Sequence, residues 1–355
     1  MPNQYPRFDA AALRELCAGL ARTSSVLPQD ADILAASLVD ADLHGRSTHG
    51  VSRLPVYLQR IDKGLVDPAA QLVLERPRPG VLLADAANGI GQVQSFKTVE
   101  TLLDMARENG TATAVVRGSQ HSGTMAQYCN HAADQGMILF ATTDCEPAMA
   151  PAGGTEALFG TNPLAASFPT GKGWHIAIDM ATSVVARGNI VAANRRGDPI
   201  PEGWALDKNG EPTTDAQAAL MGTVLTMAGH KGYALALLVE LFSGVLSGSS
   251  LSADISSMYA GPERPQDVGH FFQALDISAF MDLELFTQRT DALIDRIKGS
   301  RRREGVEEIL IPGERAARVA ARNRAEGVPV DPGVIATLED MARKRGLEPT
   351  ISAIT

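Results

Sequence analysis

"DAANGIGQVQ" (residues 85–94) is the stretch that decides what kind of sheet this chain builds. Gly89 and Gly91 supply the first two glycines of the dinucleotide fingerprint GxGxxG, but Gln94 stands where the third belongs. That fingerprint works only between a strand and a helix, with the third glycine letting the helix pack closely. Here the glycines follow "DAAN" rather than a clean strand, and helical periodicity resumes only from Ser95. The stretch reads as a turn. A Rossmann fingerprint is therefore not assigned here.

On either side of this turn lie short apolar runs separated by glycine and proline. "PGVLLADAANG", "TATAVVRG", "MILFATTD", "LAASFPT" and "WHIAIDMAT" read as strands, with helices over 95–108 and 124–135. The first 75 residues read as helical. Asp9 caps a helix that carries Leu13, Leu16, Cys17 and Leu20 on one stripe. A second runs through "PQDADILAASLVDADLHG" to Gly45. A third carries Leu54, Tyr57, Leu58 and Ile61, and ends at Gly64. From about residue 282 the chain turns helical again, interrupted by a short strand at "EEILIPGE". The expected architecture is α/β and non-Rossmann: a helical domain from both termini (1–75 and 282–355) clasping a central α/β domain (76–281). Two long turn-rich loops, 195–216 and 248–269, are of the length that is usually functional or oligomeric.

Composition narrows the function. A net charge of -9 and a pI near 5.3 argue against nucleic acid or an anionic membrane as partner. The arginine-rich run "DRIKGSRRREG" (295–305) is a local exception and reads as a solvated helix face. Cys17, Cys129 and Cys145 form no CxxC pair, which fits a reduced, cytoplasmic protein. "MPNQYPRFD" has no signal-peptide pattern. "YALALLVELFSGVL" (233–246) is broken by Glu240 and too short to span a bilayer, so it reads as a buried helix.

Four segments carry candidate chemistry. In "ADLHGRSTHGVSRLP" (41–55), His44 and His49 are five positions apart, roughly 140° around a helix, so they form no i,i+4 metal pair. No HExxH or CxxC supports a metal site either. If 50–62 is helical, His49 and Arg53 share a face, and an imidazole beside a guanidinium suits a carboxylate next to a carbonyl or hydroxyl. A helix cap with a surface arginine is the competing account. His121 lies between glycines in "VVRGSQHSGTMAQY" (115–128), after a strand and before a helix, either catalytic or structural. Asp179, in "IDMATSVVARG" (178–188), can cap a helix or orient an imidazole. Lys231, flanked by Gly229 and Gly232 at a helix start, makes either an anion site or a solvated cap.

Taken together, these segments resemble the malate/L-lactate dehydrogenase family that is distinct from the Rossmann-fold lactate and malate dehydrogenases. The family includes ureidoglycolate, diketogulonate and sulfolactate dehydrogenases and reductases of cyclic imino acids. The resemblance runs from about residue 8 to about 345, through "ADLHGRSTHGVSRLPVYLQRI", "NGIGQV", "HSGTMAQY", "GTNPLAASFP", "IDMATSVVARG", "IPEGWALDKNGEPTTD", "GHKGYALALLVELFSGVLSG", "GHFFQALDI" and "IPGER". It implies a large mixed, mainly antiparallel sheet, NAD or NADP bound without GxGxxG, and a homodimer. It places Thr48, His49 and Arg53 at the substrate, with Arg53 on its carboxylate, and His121 as the proton donor or acceptor. Asp179 would orient an imidazole or the nicotinamide ribose. Cofactor contacts fall on Cys145, Asp179, Met180, Ala181 and Lys231, with Pro312 to Arg315 nearby. Thr48, Asp144-Cys145, Ser122 and Asn189 depart from the family's usual Ser, Asn-Ser, Phe and Lys, and His44 stands where Arg is frequent. The expected reaction is hydride transfer between nicotinamide and C2 of a small 2-hydroxy or 2-oxo acid. Reduction of piperideine- or pyrroline-2-carboxylate is the alternative, and a nucleotide-binding regulator without catalysis is a third. Arg195 and Arg196 are candidates for a 2'-phosphate, or simply solvated.

Overall fold

A computed structural model describes residues 5–259, 264–348 and 351–354, so part of the 248–269 loop lies outside the described residues. A short strand, β1 (Arg7–Phe8), precedes helices α1 (Ala10–Thr23), α2 (Pro28–Leu43) and α3 (Leu54–Asp62). The Asp9 carboxylate caps α1 by accepting from the amides of Ala11 and Ala12. Between α2 and α3 the chain makes two single-turn 3-10 helices, Ser47–His49 and Val51–Arg53. The expected helix over 50–62 therefore starts only at Leu54. Gly50 adopts an extended conformation between the two turns, and Pro55 sits in the first turn of α3.

Next come β2 (Val73–Arg78), β3 (Val81–Asp85), α4 (Gly91–Asn109), β4 (Thr111–Ser119), α5 (Met125–Asp134), β5 (Met137–Thr143), β6 (Leu164–Phe168) and β7 (Ile176–Met180). A smaller unit follows: α6 (Arg187–Arg196), β8 (Ala205–Leu206), β9 (Pro212–Thr213), α7 (Ala216–Met221), β10 (Thr223–Val224) and α8 (His230–Glu240). The chain then returns to the main sheet as β11 (Val268–Asp276) and finishes with α9 (Leu283–Lys298), α10 (Glu314–Glu326), β12 (Val328–Pro329), α11 (Pro332–Lys344) and β13 (Ala353–Ile354).

The main sheet has seven strands in the order β2-β3-β4-β11-β5-β6-β7. Only β3 and β4 run parallel, and α4 makes the crossover between them. All other neighbours are antiparallel. α4 and α5 bury Val99, Leu102, Leu103, Tyr128 and Cys129 on one face, against Leu82, Ala114, Val116, Leu139 and Phe272. Phe242, just after α8, stacks on Phe271 at 4.5 Å between ring centres on the other. β1 pairs with β12 and β13, tying the two ends of the chain together, and Leu338 and Ala342 of α11 join the core of α1 and α2. The mixed sheet with helices from both termini is the architecture expected. Among the described residues no helix is long and apolar enough to cross a membrane.

Several local expectations fail for physical reasons. "DAANGIGQVQ" does lie between a strand and a helix: β3 ends at Asp85 and α4 starts at Gly91 rather than at residue 95. Its helix start is not open for a diphosphate, because a Cβ on Gly91 would overlap the carbonyl oxygens of Gln120 and His121. "EEILIPGE" is not a strand; one carbonyl, that of Pro312, accepts from Ala177 N at 3.1 Å, and Gly313 then turns with φ at 92°. The arginines 301–303 lie beyond the end of α9 on irregular chain, solvated but not on a helix face. The apolar segment 233–246 is only half buried: α8 passes into a π-turn (Leu241–Val245), and Leu238, Leu241, Val245 and Leu246 are exposed.

Gly91→Ala is expected to destabilise the fold by about 1–3 kcal/mol, since the added methyl must push two backbone carbonyls aside. Denaturant unfolding measures this, and an unchanged midpoint would contradict the packing described.

Candidate active site

The first half of the site is built by the turns between α2 and α3. His44 ends α2 with its ring turned back to Asp40, 2.9 Å from the carbonyl oxygen and 3.2 Å from the carboxylate, so it serves the helix end. Asp42, buried on the last turn of α2, accepts from Val51 N at 2.8 Å. Any Cβ on Gly50 would collide with that carboxylate, so the turn closes tightly over it. The closure presents Thr48, His49 and Arg53 together. Thr48 Oγ1 lies 3.0 Å from His49 Nδ1, and Arg53 Nε donates to the Thr48 carbonyl. The guanidinium also lies 5.2 Å over the ring of Tyr259, from the 248–269 loop. Its terminal nitrogens have no protein partner among the described residues. His49 and Arg53 thus meet through a folded turn, not along one helix face.

His121 enters from the loop between β4 and α5. Its ring stacks on that of His49, with 5.6 Å between centres and 24° between planes. Its Nδ1 lies 2.7 Å from Tyr57 Oη and 3.3 Å from the donating amide of Gly123. Tyr57 Oη in turn accepts from Gln92 Nε2 at 3.0 Å. The amide of His121 donates to Gln266 Oε1 at 3.2 Å, which places the 248–269 loop against the site. Burial, with the charges of Arg53 and Arg46 beside it, lowers the His49 pKa to about 4. Burial, then His49, Arg53 and His270, hold His121 well below its ordinary value. Both rings are neutral at pH 7, with Arg53 as the cation beside them.

A second group of residues lies at the end of β7. Asp179 Oδ2 pairs with Arg46 at 2.9 Å and accepts from Ala126 N at 3.3 Å. Its carboxylate meets no imidazole among the described residues. Its partner is Arg46, two residues before Thr48, and so it helps to hold the first group. Met180, 41 % exposed, and Ala181 follow it. Thr182 N and Oγ1 both donate to the Thr161 carbonyl, at 2.9 and 3.0 Å, and Thr161 Oγ1 lies 3.6 Å from Cys145 Sγ. Burial pushes the Cys145 thiol up to about 11, so it stays protonated. The start of α8 packs on the Thr182 carbonyl through Gly232 and leaves Lys231 exposed beside it. Cys145, Met180, Ala181 and Lys231 thus form one shelf, joined to the histidines by the Arg46–Asp179 ion pair. Pro312 joins the edge of β7 three residues before Met180, and Arg315 is exposed as the second residue of α10. Gly188, at the start of α6, faces the Thr48 methyl, with Asn189 exposed beyond it. Ser122 is buried and only its carbonyl is engaged, by Gln127 and Tyr128. Arg196 pairs with Asp198 at 2.6 Å, whereas the charge of Arg195 reaches Arg53.

Sequence reasoning missed Arg46, Tyr57, Gln92 and Gln266. Tyr57 was legible only as one more apolar position on the stripe of α3; its place one turn after Arg53 was the available signal.

The malate/L-lactate dehydrogenase family model matches residues 8–339. Malate dehydrogenase of Pyrococcus abyssi is 37% identical over 328 residues, 90% of each chain. A (2R)-3-sulfolactate dehydrogenase (NADP(+)) of Chromohalobacter salexigens is 36% identical over 293 residues, 80% of this chain and 88% of its own. Ureidoglycolate dehydrogenase (NAD(+)) of Escherichia coli O157:H7 is 34% identical over 302 residues, 84% of each. The solved sulfolactate dehydrogenase of Methanocaldococcus jannaschii superposes with a TM-score of 0.89 at 35% identity, covering 97% of this chain and 98% of that one. Fold and sequence together make the protein an oxidoreductase of the non-Rossmann type. It belongs to the malate/L-lactate dehydrogenase family.

His49 is expected to remain neutral at pH 5.5, where a free imidazole is about 90% charged. The folded pKa lies below the unfolded one, so this group's share of stability is complete above about 6.5 and shrinks as pH falls toward 4. A histidine NMR titration with a midpoint near 6.5 for His49 would contradict the site's electrostatics.

Proposed function

We propose that this protein is an NAD(P)-dependent dehydrogenase that moves a hydride between nicotinamide and C2 of a small 2-hydroxy or 2-oxo acid. The observation that carries this reading is a guanidinium, its terminal nitrogens without a partner among the described residues, beside two stacked, neutral imidazoles. Arg53 takes the substrate carboxylate as a two-pronged pair. The C2 oxygen then falls to the imidazoles. His121 moves the proton there through Nε2, because its Nδ1 is engaged by Tyr57 and Gly123. His49, fixed by Thr48, lines the same oxygen.

The shelf fits a nicotinamide dinucleotide. An exposed lysine in the first turn of an eleven-residue helix suits a diphosphate. Met180 and the Thr161–Cys145 pair offer an apolar and weakly polar wall beside it. When bound, the dinucleotide supplies or accepts the hydride. Asp179 keeps Arg46, and with it the Thr48–His49 turn, in register with that shelf. Both NAD(+) and NADP(+) appear in the relatives' names, so either cofactor remains a candidate. The exposed leucines of α8 and its π-turn support a homodimer that covers them.

Absorbance at 340 nm, crossing NADH and NADPH with 2-oxo acids and cyclic imines, tests the reading. Turnover of a 2-oxo acid is expected. Turnover of cyclic imines alone would replace it with imino-acid reduction, and tight NAD(P)H binding without turnover would leave a nucleotide-binding regulator. His121→Ala should lower kcat by about 10² or more. Arg53→Lys should chiefly raise KM for the acid, by about 10-fold, because one charge-assisted hydrogen bond is worth about 1.5 kcal/mol or more.

A further inference from the structure

The buried hydrogen-bond chain behind His121 has no counterpart among the residues assigned so far. Its direction is fixed by two independent donors. The Gly123 amide carries a hydrogen that points at Nδ1 from 3.3 Å, so Nδ1 is an acceptor. Gln92 Nε2 donates to Tyr57 Oη at 3.0 Å, which leaves the single phenolic hydrogen free to point at Nδ1, 2.7 Å away. With Nδ1 accepting twice, neutral His121 carries its hydrogen on Nε2. Tyr57 is buried on α3 and Gln92 on the first turn of α4, so neither side chain is in a position to meet substrate.

This arrangement poses a chemical problem that the chain itself answers. Neutral imidazole that gives up its Nε2 hydrogen would become an imidazolate unless Nδ1 gains a proton in the same step. Tyr57 Oη is the only O–H group on Nδ1 among the described residues. We infer that Tyr57 is a positioning residue that sets the Nε2–H tautomer of His121 and passes its phenolic proton to Nδ1 as Nε2 delivers its own to the C2 oxygen. This rests on the reading of His121 as the group that moves the C2 proton.

In the reducing direction the Nε2–H bond breaks and its proton goes to the C2 oxygen while C2 gains the hydride. The Tyr57 O–H bond breaks and its proton goes to Nδ1. The phenolate left behind is held by the Gln92 N–H and faces the charge of Arg53, both of which ease its ionisation against the opposing effect of burial. After the product leaves, solvent reprotonates Nε2 and the Nδ1 proton returns to Tyr57. One solvent proton has become the product's hydroxyl hydrogen. Oxidation runs the same steps backward.

The test uses the whole protein with NADH or NADPH and whichever acid it turns over. Tyr57→Phe keeps the buried ring and removes the hydroxyl. It should lower kcat by at least about 10-fold, leave KM for the acid within about twofold, and change the dependence of kcat on deuterium content from curved, as two protons move together, to linear. Wild-type rate and a curved dependence in Tyr57→Phe, with His121→Ala inactive, would overturn the inference and leave the His121 reading standing. Normal turnover in His121→Ala would overturn both. Nitrogen-15 NMR of wild-type histidines gives a readout that needs no turnover: His121 should appear as the Nε2–H tautomer at pH 7, and the Nδ1–H tautomer would overturn the inference.

Discussion

The close approach of Gly91 to the carbonyls of Gln120 and His121 is the constraint on which the site depends. It brings the first turn of α4 to within one atom's thickness of the loop after β4, where only glycine fits. That approach holds Gln92 within hydrogen-bond reach of Tyr57, which in turn reaches His121. It also covers the helix start that a Rossmann protein would leave open for a diphosphate. The same short stretch therefore closes a helix start to a diphosphate and carries Gln92, which supports the Tyr57–His121 hydrogen bond. In the proposed function, the diphosphate meets a different helix start, that of α8 beside the exposed Lys231.

A second constraint fixes the other imidazole. Asp42 is buried, its pKa pushed up to about 7, and its carboxylate is committed to the Val51 amide. The carbonyl of Leu43 accepts from Asn323 of α10 at 2.9 Å, so the C-terminal part of the chain braces the helix end that carries the turn. The two histidines thus come from separate supports and stack face to face. Protonating either would place a second positive charge beside Arg53. Neutrality of both rings follows from placement, and it leaves the Arg53 guanidinium as the positive charge beside them.

Much of this was legible in the sequence. Five of the seven main-sheet strands announce themselves as apolar runs between turn residues, and Asp9 and Gly45 mark helix ends where they stand. β11 did not, although it lies in the middle of the sheet: "GHFFQALDI" follows a long polar loop, and its partners β4 and β5 lie more than a hundred residues earlier. β2 is a fully exposed edge strand containing Pro77, so it lacks the burial that makes a strand visible. His49, Arg53 and His121 stood out by residue type and spacing, with a structural reading open beside each, and only the family resemblance gave them roles. Their supports did not stand out, because Tyr57 looks like core, Gln92 looks like a turn, and Arg46 looks like a solvated helix end. A support is recognised by what it touches, and contact between residues 57, 92 and 121 is a property of the fold. α8 was misjudged in the opposite sense, since an apolar helix reads as buried whether its cover is its own chain or another.

The most direct measurement is a structure of the protein with reduced cofactor and a non-reacting 2-oxo acid analogue such as oxamate. The analogue's carboxylate should lie on the terminal nitrogens of Arg53, with its C2 oxygen about 2.6–3.2 Å from Nε2 of His121. An analogue bound with its carboxylate on Lys231, or with its C2 oxygen out of reach of both imidazoles, would contradict the assignment of the site.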